Sequence, residues 1–310
     1  MPRIVVFQGS ARNRHGEAHQ WGKTRLFMEA AIDEARTLGA SIDLIDLSVS
    51  EEGARVQPCY ACISTAGGYH CHYPCDCYLR AGEMEAGEEG EEDEEGEEES
   101  PPDFLAENHI FERVEAADAF VVFTPANWYS VPTQVKAMFD RFVCANLTLT
   151  REDAAEVLGE ENLKNPRVTR MFEKSGAADR LLRNHWEGKT AAFFIHGDYG
   201  ADDYAKRREP RSLRIYRQSE DDQSIDVRGM VMPLVQQMRY SGVNVPDDLI
   251  VGMLINRGLD YATANDVAPK LTKPVEEARA LMRRLMERIT APSEMSAYLN
   301  RFEVVAGTKR

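Results

Sequence analysis

The chain has 310 residues, 37 of them Lys or Arg and 52 Asp or Glu, for a formal net charge of −15. Hydrophobic residues make up 43% and charged residues 29%, which excludes a fibrous or disordered chain, and the length suffices to bury a full core. Such acidity argues against a nucleic-acid or anionic-membrane partner, since both require a basic surface. The acidity has one address, however. Glu83 to Glu99 holds twelve acidic residues and no basic one; without them 37 basic residues face 40 acidic ones, a balance of −3.

Met1-Pro2-Arg3 leads directly into Ile4-Val5-Val6-Phe7, an apolar run too short for a signal peptide. No apolar stretch approaches the ~20 residues of a membrane span, so a cytoplasmic protein without a membrane partner is expected. Ile4 to Phe7 reads as a buried strand, and Gly9 to Gly22 as a polar loop. Thr24 to Leu38 is helical, with Phe27, Ala31, Ala35 and Leu38 on one face, and Gly39 stops it. Ile42 to Leu47 makes a second strand; Phe104 to Ala117 reads as a helix and Ala119 to Thr124 as a third strand, apolar throughout as parallel strands are. A helix over Val131 to Val143, a fourth strand over Ala191 to His196, a helix over Val227 to Tyr240 and a fifth strand over Leu249 to Ile255 follow. Pro274 to Ile289 closes the fold as a helix, with Leu281, Leu285 and Ile289 at four-residue spacing.

This alternation predicts an α/β fold: a flavodoxin-like, doubly wound, five-stranded parallel sheet of order 2-1-3-4-5 with long insertions. Residues 1–290 read as one domain and 291–310 as a tail; 51–103 is a cysteine-rich and acidic insertion, 200–225 a charged one, and 145–188 further added length.

A sheet of this order binds its ligand beyond the strand C-termini where the order reverses, here in the loops after strands one and three. The first contains Gly9-Ser10-Ala11-Arg12 and reaches a helix start at Gly22-Lys23-Thr24. A helix N-terminus suits a phosphate; Ser10 and Thr24 can donate hydroxyl hydrogen bonds, and Arg12 or Lys23 can neutralise the anion. Gly-Lys-Thr also invites a P-loop reading, but five residues, not four, separate Gly16 from Gly22, and no apolar strand is read as ending in a magnesium-binding Asp, the third ending Thr124-Pro125. The second loop is Thr124-Pro125-Ala126-Asn127-Trp128-Tyr129, whose aromatic pair either stacks on a planar cofactor or packs a helix or a subunit contact.

Gly9-Ser10-Ala11-Arg12, then Thr124-Pro125-Ala126-Asn127-Trp128, then Val135-Lys136-Ala137-Met138-Phe139-Asp140-Arg141, in that order, resemble the motifs of the NAD(P)H-dependent FMN reductase branch of the flavodoxin-like proteins, which includes the iron–sulfur flavoproteins. The likeness in motif covers residues 1 to about 145. It implies FMN as cofactor and NAD(P)H as electron donor. It puts the phosphate in the loop of Ser10, Arg12 and Thr24, and the ribityl chain and ring edge along Pro125, Ala126, Asn127, Trp128 and Tyr129. A third contact would come from His196, Gly197, Asp198 and Tyr199. Lys23 stands where the family has Asn. His196, Asn127 and Tyr129 are candidates for hydrogen bonds at the ring edge; no catalytic base is required, because the flavin carries the chemistry. A quinone-like or other small acceptor and a homodimer are expected.

Five of the six cysteines crowd together: Cys59, Cys62, Cys71, Cys75 and Cys77. Four thiolates can hold an iron–sulfur cluster or a tetrahedral zinc, with His70 and His72 nearby, and the iron–sulfur flavoproteins carry their cluster cysteines at this point of the chain. The spacing departs from the compact cluster pattern, so a buried or redox-active thiol set is the preferred reading. Cys144 reads as a core residue. Glu83 to Glu99 reads as a mobile insertion, and Lys206 to Arg217 as a solvated basic loop. The alternatives to a flavin reductase are an iron–sulfur/FMN electron carrier, a P-loop-type nucleotide-binding protein, and a flavodoxin-fold regulator without turnover.

Overall fold

A computed structural model of the chain describes residues 1–10, 22–48, 54–59, 71–75, 103–127, 130–159, 182–198, 227–255 and 271–291. The acidic run, the basic stretch and the tail beyond Ala291 lie outside them.

Strands β1 (Arg3–Gln8) and β2 (Ser41–Asp46) flank helix α1 (Lys23–Thr37) in the chain, and a two-residue strand β3 (His72–Tyr73) follows. Then come α2 (Phe104–Glu107), α3 (Ile110–Glu115), β4 (Ala119–Pro125), α4 (Thr133–Phe142), β5 (Leu149–Thr150), α5 (Arg151–Leu158), β6 (Thr190–Asp198), α6 (Met232–Tyr240), β7 (Ile250–Ile255) and α7 (Thr272–Thr290). The main sheet runs β2-β1-β4-β6-β7 with every pair parallel, so its five strands taken alone have the expected order 2-1-3-4-5.

The central strands β1, β4 and β6 are apolar on both faces because helices cover both. Ile4, Val6, Val121 and Phe194 meet α1 and α7 on one side, through Phe27, Ala31, Leu281 and Leu285. Val5, Phe7, Phe120, Val122 and Phe193 meet α3, α4 and α6 on the other, through Phe111, Val135, Phe139 and Val235. Each large apolar side chain buried this way contributes about 1.5–3 kcal/mol. Arg283 on α7 reaches Glu34 on α1 at 3.0 Å, tying the two helices at their rim. Gly39, at φ 86°, ends α1, and the Ala40 N–H then bonds back to the Ala35 carbonyl at 2.9 Å.

Two segments depart from expectation. The helix expected over Phe104 to Ala117 is broken into α2 and α3 by His109, whose left-handed φ of 49° restarts the chain. The helix expected from Val227 begins as a 3-10 turn (Val227–Met230) before α6, with Pro233 in the first α-helical turn where its missing N–H costs nothing. A small parallel pair was not foreseen: β3 from the cysteine-rich insertion lies beside β5, His72 opposite Leu149 and Tyr73 opposite Thr150. Two-residue strands carry no periodicity to read. Tyr73 anchors that pair by stacking on His185, with ring centroids 4.0 Å apart, and by accepting the Trp186 Nε1–H at 3.0 Å.

Among the described residues, no helix is long and apolar enough to cross a membrane.

Candidate functional site

The chain leaves β1 for α1 on one face of the sheet and leaves β4 for α4 on the other, so the strand order reverses between the C-terminal ends of β1 and β4, the place where sheets of this order carry a ligand crevice. Gly9 sits at that point. Its N–H donates to the Phe123 carbonyl at 2.7 Å and its carbonyl accepts the Gln134 Nε2–H at 3.3 Å. A Cβ there would lie 2.6 Å from Val135 Cγ2, 3.1 Å from Thr124 Oγ1 and 3.2 Å from the Phe123 carbonyl, so only glycine allows α4 so close. Ser10 is buried, and its N–H donates to the side-chain carbonyl of Gln8.

On the α1 side the cap position is Gly22, which offers no side-chain oxygen to the first-turn N–H groups, and that turn contains no acid. Lys23 and Thr24 follow, both buried, at 5% and 1% exposure. A buried lysine and a hydroxyl at the positive end of a 15-residue helix suit an anionic group, and a phosphate monoester matches these donors. On the sheet side, Pro125 in β4 stands opposite His196 in β6, and the half-buried Ala126 donates its N–H to the His196 carbonyl at 2.7 Å. Asn127 is exposed and closes a turn with Ser130 through two backbone hydrogen bonds, of 2.7 and 3.0 Å. Gly197 is buried in β6, and Asp198 ends that strand opposite Ile255.

The two sides meet in one contact. Thr24 Oγ1 and His196 Nε2 are 2.7 Å apart and share a buried hydrogen bond, while Phe27 packs its ring edge against the imidazole with centroids 5.2 Å apart.

A family model for NADPH-dependent FMN reductases matches residues 2–158, half of the chain. The chain belongs to that family. This FMN reductase is an NAD(P)H-dependent flavin oxidoreductase, and FMN and NAD(P)H are its cofactor and donor. No curated protein matches the sequence at a significant level. Among solved structures, it is similar to an azoreductase from Bacillus anthracis (12% identity over 92% of this chain and 100% of that one, TM-score 0.44). It is also similar to an NAD(P)H:quinone oxidoreductase from Methanothermobacter marburgensis (15% identity, 90% and 96% covered, TM-score 0.41). A third is RosB, solved with a bound 8-demethyl-8-formylriboflavin-5'-phosphate intermediate (12% identity, 98% and 88% covered, TM-score 0.41). The family match lends no support to the P-loop or iron–sulfur carrier alternatives.

Of the residues singled out in the sequence of this reductase, Ser10, Lys23, Thr24, Pro125, Ala126, Asn127, His196, Gly197 and Asp198 lie along the C-terminal edge of the sheet or at the N-terminus of α1. Arg12, Trp128, Tyr129 and Tyr199 fall outside the described residues. Neither Gln8 nor Gln134, whose side chains bond the backbone of Ser10 and Gly9, is among the residues singled out in the sequence. The readable signal for Gln8 was a polar residue ending an otherwise apolar strand at the point where the strand order reverses.

The cysteine window divides the same way. Cys59, Cys71 and Cys75 are half-buried, while Cys62 and Cys77 are outside the described residues. Cys71 and Cys75 pack against the core that contains Cys144. Burial pushes the Cys144 thiol well above its ordinary range, and the neighbouring Cys75 and Cys71 add to the shift, so it stays protonated and inert. Arg141, the last residue of the family motif, donates from Nε to Cys75 Sγ at 3.4 Å and from Nη1 to Asp103 Oδ1 at 2.5 Å. Among the described residues, no group of three or more His, Cys, Asp or Glu is placed to hold a metal.

Proposed function

We propose that FMN lies in the crevice between the ends of β1 and β4, with its phosphate at the N-terminus of α1 and its ring edge along the loop that follows β4. What supports this reading is the buried Lys23–Thr24 pair at a helix start that lacks both a side-chain cap and an acid. Ser10, Arg12, Lys23 and Thr24 bind the phosphate; Pro125, Ala126, Asn127, Trp128 and Tyr129 border the ribityl chain and ring. Gly197, Asp198 and Tyr199 approach from the end of β6. When bound, FMN supplies the chemistry by taking a hydride from NAD(P)H and delivering the electrons to an acceptor, which we read as a quinone-like small molecule. The protein's part is to neutralise the phosphate, orient the ring and exclude water from it. Hydrogen bonds from the loop backbone then set how readily the ring is reduced.

Reconstitution tests this directly. Purified protein incubated with FMN and desalted should retain a flavin absorption band at one FMN per chain, and should oxidise NADH or NADPH faster when a benzoquinone is added. A colourless protein after desalting, or a donor oxidation rate indifferent to the protein, overturns the reading.

A further inference from the structure

The resemblance to flavin reductases made His196 a candidate for the ring edge; its contacts give it a different task. Its Nε2 lies 2.7 Å from Thr24 Oγ1, and both side chains are buried, at 6% and 1% exposure. The backbone of His196 is fixed at the sheet edge, opposite Pro125 and with its carbonyl accepting the Ala126 N–H. Its ring is flanked by Thr24 at Nε2 and by Phe27 in an edge-to-face contact.

The polarity of this hydrogen bond decides what Thr24 can do. A hydroxyl has one proton and can accept as well as donate. If Thr24 donates to an unprotonated Nε2, its oxygen presents only lone pairs to an anion, and the contact is repulsive. If a protonated Nε2 donates to Thr24 Oγ1, the hydroxyl proton is left for a phosphate oxygen, which can only accept. Which nitrogen carries the proton is therefore the question of whether Thr24 binds phosphate.

We propose that His196 is a positioning residue for the phosphate end of the cofactor site: its Nε2–H donates to Thr24 Oγ1 and turns the Thr24 hydroxyl toward the phosphate. This rests on the reading that the phosphate lies at the start of α1. The bond also ties that helix start to the end of β6, so phosphate-side and ring-side groups keep a fixed mutual position.

The experiment compares dissociation constants for FMN and for riboflavin, which differ only in the phosphate. Wild-type protein should bind FMN far more tightly. Thr24→Val and His196→Leu should each weaken FMN binding about tenfold, the loss of one hydrogen bond to a charged group, with little change for riboflavin. The double variant should be no worse than either single one, and His196→Gln, which keeps an N–H donor, should recover part of the loss. Equal weakening for FMN and riboflavin in His196→Leu means a merely structural role and overturns the proposal, as does unchanged FMN binding. If wild-type protein does not distinguish the two ligands, or Thr24→Val leaves the ratio of their dissociation constants unchanged, the phosphate placement itself fails. If Thr24→Val narrows that ratio about tenfold and His196→Leu does not, only the role of His196 fails. Should His196→Leu not fold, the wild-type complex still decides: NMR of histidine-labelled, FMN-loaded protein must show His196 protonated at Nε2, and an unprotonated Nε2 overturns the inference.

Discussion

Arg141 Nη1 meets Asp103 Oδ1 at 2.5 Å with both side chains almost wholly enclosed, at 0% and 1% exposure. The pair joins the end of α4 to the start of α2. Asp103 also caps α2, accepting the Ala106 N–H at 3.1 Å, while Arg141 reaches Cys75 through Nε and Nη2. One ion pair thus holds the cysteine-rich insertion against α4.

Breaking such a pair from one side leaves a charge buried without its partner. Asp103→Ala is expected to cost about 3–5 kcal/mol, including the lost helix cap, and Arg141→Met a similar amount. The combination Asp103→Leu with Arg141→Met should cost less than the two single losses together, since it removes both charges. Urea unfolding of the three variants measures the difference.

Gly9→Ala drives a methyl into Val135 Cγ2, a short branched group that cannot swing aside. The expected loss is about 1–3 kcal/mol of stability, with weakened FMN binding because the crevice opens. Val135→Ala in the same chain should restore part of both, which thermal melts and FMN titration would read.

Asp43 accepts from Arg113 Nε at 3.0 Å and from Arg3 Nη2 at 3.1 Å. The Arg113 hydrogen bond, aided by Arg3 and opposed by burial, holds its carboxyl below the ordinary value of 3.8. A carboxyl with a depressed folded pKa adds stability that is fully present above its unfolded pKa and lost as pH falls through the folded one. Asp43→Asn should therefore cost about 1 kcal/mol at neutral pH, and the gap to wild type should close as the pH drops below 3.8. Unfolding curves across that range check the sign.

Tyr73 donates its hydroxyl to the Phe111 carbonyl at 3.3 Å and accepts the Trp186 Nε1–H at 3.0 Å, with Trp186 fully buried. Tyr73→Phe leaves the indole N–H without that acceptor and is expected to cost about 1–3 kcal/mol. In a Trp186→Phe background the same change should cost less, because the donor is already gone. A double-mutant cycle in urea reads that coupling.

Much of the architecture was legible because buried parallel strands are apolar throughout and covering helices are apolar on one face; both patterns survive in one dimension. Ile4–Phe7 and Ala119–Thr124 are of the first kind, and Phe27–Ala31–Ala35 of the second. The break at His109 was not legible, because a single left-handed residue interrupts no apolar period. Nor was the β3–β5 pair, or the convergence of Cys71, Cys75 and Arg141 with Cys144, since those contacts span about seventy residues that share no local pattern.

By itself, then, the sequence determined the strand–helix alternation, the family motifs and the address of the −15 charge, all local or ordered along the chain. Only the tertiary structure decided which residues face one another. It set His196 against Thr24 and Arg141 against Asp103 and Cys75. Hydrogen bonds and ion pairs act over a few ångströms in space, and the distance along the chain between Thr24 and His196 carries no trace of the 2.7 Å between their atoms.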